Sequence, residues 1–347
     1  MKKSNLFFIA LLLSLKSFST IWTVSNDPNR LAQFTNINSA NSAAGNGDTL
    51  YVYGSSNFYP VATITKKLTV MGAGYNPNSS NTNSTKINGM NLNAGSSGTM
   101  LLGVNFIGDI LGSNTSQIYN VVIKRCIIPS VYIYNTDSNW VIENCLVNFN
   151  IFGIFGSNNI ALTVRNNIIS GAINGGLGGG NTASINFLIQ NNLFLSPYTQ
   201  STFYNLRKTT IRNNIFYGLS PNGTGSDSNV FINNICWDIN NGLSTLPYGT
   251  NVGFGNLVIN PLFVGAIDKN LVNFNNNFRL NSNSLARFAG TDSTDIGPTG
   301  GASPIYPASG LLTGMPPIPS ITQVSLPINA TPQGGNIQIF IRGKKNN

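Results

Sequence analysis

An all-β solenoid, a chain wound into stacked coils, is the fold this sequence predicts, and three observations predict it. A short phrase recurs six times: Val122-Ile123-Lys124-Arg125-Cys126-Ile127, Val141-Ile142-Glu143-Asn144-Cys145-Leu146, Thr163-Val164-Arg165-Asn166-Asn167-Ile168, Leu188-Ile189-Gln190-Asn191-Asn192-Leu193, Thr210-Ile211-Arg212-Asn213-Asn214-Ile215 and Val230-Phe231-Ile232-Asn233-Asn234-Ile235. The first aligned apolar residues of the copies (123, 142, 164, 189, 211 and 231) lie 19, 22, 25, 22 and 20 residues apart, a period at which one repeat is one supersecondary unit. Between the copies the chain alternates short β-branched runs with turns rich in Asn or Gly. A coil of this size cannot bury its own apolar face, so neighbours must stack to share a core.

The elements follow in order. Residues 1–20 read as an export signal: Lys2 and Lys3 precede the apolar run Leu6 to Leu15, and the small residues Ser17, Ser19 and Thr20 follow. That run is too short to span a bilayer, and no second candidate follows it. Residues 21–46 read as an N-terminal cap, with Trp22-Thr23-Val24 as a short strand and a helix over Pro28 to Ala44. The helix rests on Leu31, Phe34 and Ile37 at i, i+3 and i+6. Such an element would cover the open edge of the first coil.

Residues 47–300 are assigned to the solenoid. Thr49 to Tyr53 and Leu68 to Met71 are its first strands, and the Asn-, Ser- and Gly-rich stretch 72–98 reads as an exposed loop. In the regular coils Asn144, Asn166, Asn191, Asn213 and Asn233 are expected to form a ladder, each side-chain amide bonding the next. Asn also accepts the left-handed backbone of a tight turn. Cys126 and Cys145 share one repeat position. Stacked strands ~4.8 Å apart fall inside the Cα window for a disulfide, but neighbouring parallel strands seldom offer the torsion it requires, which favours two packed thiols. Eight of the sixteen prolines follow residue 297, so 301–347 read as an extended tail. Gln338 to Arg342 are expected to close that tail as an edge strand beside the solenoid.

Two stretches resemble the right-handed parallel β-helix repeat family, whose fold is shared with pectate lyases and polygalacturonases. One is the Ile-x-Asn-Asn-x-Ile/Phe series quoted above. The other is Asn260-Pro261-Leu262-Phe263-Val264, then Asn277-Phe278-Arg279-Leu280, Ser282, Ser284, Ala286, Gly290 and Asp295-Ile296-Gly297, which is similar to the closing coil of secreted bacterial members. Gly47-Asp48-Thr49-Leu50-Tyr51-Val52 and Lys67 to Gly72 are similar to their opening coil. The resemblance implies a right-handed parallel β-helix and export to the periplasm, the cell surface or the medium. It carries little about chemistry, because the scaffold hosts lyases, hydrolases and non-catalytic surface proteins alike.

Composition narrows the chemistry. The chain has no histidine, which removes the commonest general base and the usual zinc ligands. Without the three signal-region lysines, 16 basic residues face 10 acidic ones, a net of +6, and charged residues make up only 8 % of the chain. Nucleic acid would want a dense basic stripe instead. Glycosidic hydrolysis of the polygalacturonase type needs clustered carboxylates, yet the acidic residues are scattered, with no Asp-Asp pair and no pair recurring at one-coil spacing. Asp48 and Asp295 match turn positions of the opening and closing coils. A lyase's calcium cage of roughly 6–8 oxygen ligands is equally hard to assemble. No catalytic residue, metal or cofactor is assigned.

Two features point to binding. The outward column Lys124, Glu143, Arg165, Gln190, Arg212 places Glu143 between two cations that it would neutralise. That leaves Arg165 and Arg212 as a short basic strip able to meet a uronic-acid chain. In Val131-Tyr132-Ile133-Tyr134, alternation puts Tyr132 and Tyr134 on one face, near Asp137. Phe149, Phe152 and Phe155 follow in the next coil, and a Gly-rich strip over 171–180 in the one after. Flat rings beside a strip poor in side chains make a surface on which sugars stack. The alternative is an ordinary aromatic stack or core rings. The expected ligand-binding residues are therefore Tyr132, Tyr134, Phe155, Arg165 and Arg212. The expected protein is a monomeric, non-catalytic, exported or cell-surface protein that binds polysaccharide or a cell-surface glycan, and not nucleic acid. The alternative is a lyase or hydrolase of acidic polysaccharide.

Overall fold

Three parallel sheets wind around one apolar core. The computed structural model describes residues 19–76, 83–134, 137–153, 161–176, 186–195, 201–218, 220–239, 245–268, 276–306, 312–316, 319–325 and 340–345. The expected export signal before residue 19 lies outside them. Sheet A has 11 strands, from Ile21–Val24 to Val252–Phe254; sheet B has nine, from Lys86–Ile87 to Leu257–Val258; sheet C has seven, from Ala62–Ile64 to Phe203–Tyr204. Every pairing within them is parallel, and from Thr69–Met71 to Phe203–Tyr204 each coil visits A, then B, then C before returning to A. This is the right-handed parallel β-helix expected from the repeats, with the hand that parallel crossovers take.

Alternation sets the core. In sheet A, Val70, Leu101, Ile123, Ile142, Val164, Ile189, Ile211 and Phe231 point inward and are buried. Further along, the interior is filled by rings: Phe194 stacks on Phe216 at 5.1 Å, and Phe203 meets both edge-on. The stretch 72–98 is not a plain loop. It contains the strands Lys86–Ile87 and Met90–Leu92, because Ile87, Met90 and Leu92 fill inward positions of another coil.

The cap differs in extent from the sequence reading. Its helix, α1, spans only Ile37–Ala43, with Asn36 as N-cap accepting from Ser39 N at 2.8 Å. Leu31 is 96 % exposed, so the apolar spacing that included it misplaced the helix start. Residues before α1 instead pair with the first strand, through the Val24–Phe34 bridge. Ile37, Ala40 and Ala44 close the end of the core. Lys66 Nζ caps the far end of α1 by donating to the carbonyls of Asn41, Ser42 and Ala44. Asp48 receives Thr20 N, Trp22 Nε1 and Gly45 N, and those bonds hold its carboxyl below the usual range.

The Asn ladder sits one residue later than expected. Asn144, Asn166, Asn191, Asn213 and Asn233 adopt φ between 49° and 56°, the left-handed turn conformation, which directs their side chains out of the tube. The following residue therefore points inward. Asn167 donates to Asn192, Asn192 to Asn214, Asn214 to Asn234 and Asn234 to Asn256, through backbone N and side-chain Nδ2 at 2.9–3.0 Å. Cys145 N joins the head of this column by donating to Asn167 Oδ1. Cys126 and Cys145 are free, buried thiols, and burial pushes Cys145 well up.

The outward Asn column has a different partner. After Val258 no described residue adds a strand to the three sheets. Residues 262–265 pair with 277–281, with Val264 N donating to Arg279 O and Asn281 N to Leu262 O. The chain then runs back along the turns. Asn233 donates to Ala289 O, Asn213 to Thr291 Oγ1, Asn191 to Asp295 O, Asn166 to Gly300 O and Asn144 to Ser303 O, and Arg125 to Met315 O. This strap covers the outer face of sheet B, where Leu146, Ile168, Leu193, Ile215 and Ile235 are buried against Phe278, Leu280, Ala286, Ile296 and Ile305. From Leu146 to Ile235 sheet B is thus buried on both faces, as contiguous apolar pairs such as Ile168-Ile169 require. The terminal strand, Phe340–Lys345, pairs antiparallel with Pro319–Ser325 in a separate two-stranded sheet.

Candidate functional site

Sheet C presents one continuous outward column. Its registers place Thr63, Asn91, Leu111, Tyr132, Phe152, Asn174 and Tyr204 one coil apart, each half-buried. Alternation with the inward residues Ile110, Val131, Ile151, Ile173 and Phe203 forces this arrangement. Tyr132 and Phe152 stack at 4.7 Å with 21° between planes. Their facing surfaces therefore cover each other, and the pair is flanked in the column by Leu111 on one side and Asn174 on the other. Phe152 is ambiguous in sequence because coil lengths differ; its pairing with Tyr132 resolves it outward. Phe155 and residues 177–180 of the Gly-rich strip lie outside the described residues. Asn174 and Tyr204 escape a reading of the sequence, although Asn174 is the residue after the inward Ile173 and Tyr204 the residue after the inward Phe203.

Tyr134 is half-buried beyond the end of the Tyr132 strand, and Asp137 lies behind it. The Asp137 side chain is fully buried, its carboxylate accepting from Ile118 N at 2.7 Å and Tyr134 N at 3.2 Å. Gly112 makes room for it, since a Cβ there would stand 2.1 Å from Oδ2. Burial pushes this carboxyl up to about 7, against the two amide bonds that pull it down. A carboxyl raised by folding binds its proton more tightly in the native state, so stability falls as pH climbs from near 4 towards 7. Asp137→Asn is expected to flatten that decline. Thermal unfolding of both proteins between roughly pH 4 and 8 checks it; parallel curves would overturn the assignment.

The basic strip lies on sheet A, a different face. Lys124, Glu143, Arg165, Gln190 and Arg212 do form one outward column. Glu143 neutralises its neighbours as expected, with Lys124 Nζ and Arg165 Nη2 each 2.7 Å from its carboxylate. Ser303 of the strap also donates to Glu143, closing it over. Burial raises this carboxyl, but the bonds from Lys124, Ser303 and Arg165 outweigh it and the net shift is downward. Arg212 Nε donates to Gln190 Oε1 at 2.9 Å. Sheet position thus separates Arg165 and Arg212 from Tyr132 and Tyr134.

Three further carboxylates are held in local bonds. Arg207 pairs with Asp227 at 3.0 Å, Asp292 receives Thr294, and Asp295 receives Phe288 N and Thr299. Among the described residues no group of three His, Cys, Asp or Glu could hold a metal ion. No described helix is long and apolar enough to cross a membrane. No family model and no curated protein matches the chain. Among solved structures it is similar to one described as the crystal structure of pectate lyase Pel9A, with a TM-score of 0.43 and 14 % identity over 81 % of this chain and 96 % of that one.

Proposed function

We propose that this is an exported, non-catalytic β-helix protein that binds carbohydrate through the outward face of sheet C. The observation that carries the reading is the in-register column with Tyr132 stacked on Phe152, flanked by Leu111 and Asn174. Aromatic side chains combine a large apolar surface with a fixed orientation, which suits the apolar faces of sugar rings. Rigid parallel coils hold that column in place without loop rearrangement. The side chains of Glu143, Asp227 and Asp295 are occupied in structural bonds, which supports binding over turnover. Tyr134 extends the same face; Arg165 and Arg212 would be accessory cations on a neighbouring one.

A glycan array carrying neutral and uronic-acid polymers tests the reading. Tyr132→Ala and Phe152→Ala are each expected to weaken binding roughly three- to tenfold, the equivalent of one lost aromatic contact. Absence of binding by the unaltered protein, or unchanged binding by both variants, would overturn it. Incubation with the same polymers, followed by ultraviolet absorbance for unsaturated ends and an assay for new reducing ends, separates a binder from an enzyme.

A further inference from the structure

The outward column of sheet C has a gap of one residue in its aromatic run. Successive coils place Tyr132, Phe152, Asn174 and Tyr204 in register. Tyr132 uses one face of Phe152. The other face looks along the solenoid towards Tyr204, two coils on, at about 9.6 Å by the ~4.8 Å strand spacing. Only Asn174 stands between them in the column, and it is followed by Gly175 and Gly176, which carry no side chain. The Asn174 side-chain oxygen, Oδ1, accepts Gly176 N at 3.0 Å and Asn205 Nδ2 of the next coil at 3.5 Å, which holds that oxygen against the turn. Rings in contact sit roughly 4.5–7 Å apart, so a spacing of two coils admits one further ring between two aromatic ones.

Charge selects what that ring can be. No residue of the seven-member column is ionisable as an acid or a base near neutral pH: Thr63, Asn91, Leu111, Tyr132, Phe152, Asn174 and Tyr204. The cations Lys124, Arg165 and Arg212 belong to sheet A. A uronate would meet a column that offers no cation to offset its charge, and an uncharged sugar would meet no such penalty.

Building on the carbohydrate reading, we propose that the position between Phe152 and Tyr204, over Asn174, is a subsite for one ring of an uncharged glycan. The ring would continue the stack begun by Tyr132 and Phe152, with the Asn174 amide available to a hydroxyl. Asn174→Phe places a protein ring where the sugar would lie and is expected to abolish binding of neutral glycans. Tyr204→Ala removes one wall and is expected to weaken binding roughly three- to tenfold. Calorimetric titration with neutral oligosaccharides and their uronic-acid counterparts reads both, with circular dichroism to show that each variant is folded. If Asn174→Phe is misfolded, Tyr204→Ala decides. Undiminished neutral-glycan binding by the folded variants, or binding of uronates alone, sinks the subsite and leaves the broader carbohydrate reading standing. No glycan binding by the parent protein sinks both.

Discussion

Replacing Asn214 with alanine is expected to destabilise the protein by about 3–5 kcal/mol, among the largest effects of any single polar substitution here. The Asn214 side chain accepts Asn192 N and Nδ2, and donates to Ile189 O, Arg212 O and Asn234 Oδ1, all in the interior. Alanine would strand at least two buried partners, at about 1–3 kcal/mol each. The adjacent Asn213 offers the control. Asn213→Gly keeps the left-handed turn and loses only the bonds to Thr291, so about 1 kcal/mol is expected. Urea unfolding of the two variants compares them. Equal losses, or a larger loss for Asn213→Gly, would return the ladder to the outward column.

The second large effect concerns the strap. Ile296 is 1 % exposed, clustered with the outer residues of sheet B, and followed by Gly297, whose N–H donates to Asn213 O. Ile296→Asp should exceed the roughly 2–5 kcal/mol of a buried Ile→Ala change, because a charge would have to be buried or the strap released. Release is the expected outcome. Hydrogen exchange should then quicken in residues 286–306 and in the outer edge of sheet B, while sheets A and C stay protected. Uniform loss of protection would show instead that strap and solenoid unfold as one unit. Intact protection would overturn the account of sheet B.

The parts of the fold that were legible are those with a period. Inward Ile123, Ile142, Val164, Ile189 and Ile211 announce stacked coils, and the ion-pair column around Glu143 follows from simple alternation. The ladder was displaced by one residue because either Asn of a pair can serve a turn; the left-handed angle that decides between them is a property of backbone geometry. Coils at 72–98 were hidden by their Gly and Asn content. The strap was written in Ile127-Ile128, Leu146-Val147 and Ile168-Ile169, where two neighbouring apolar residues cannot both face one interior. For the site, Tyr132 and Tyr134 could be read from alternation. Their relation to Phe152, Asn174 and Tyr204 depends on loops of unequal length, so it emerges only when the strands are in register.

The strap runs against the order of the coils. It touches the turn at Asn233 first and the turn at Arg125 last, counting off the intervening turns in reverse. A return segment anchored this way acts as a ruler. Duplicating or deleting one coil would shift every anchor beyond the change by ~4.8 Å and leave the carbonyls opposite the wrong amides. Solenoids commonly change length by gaining or losing units; this one can do so only if the backward-running segment changes in step.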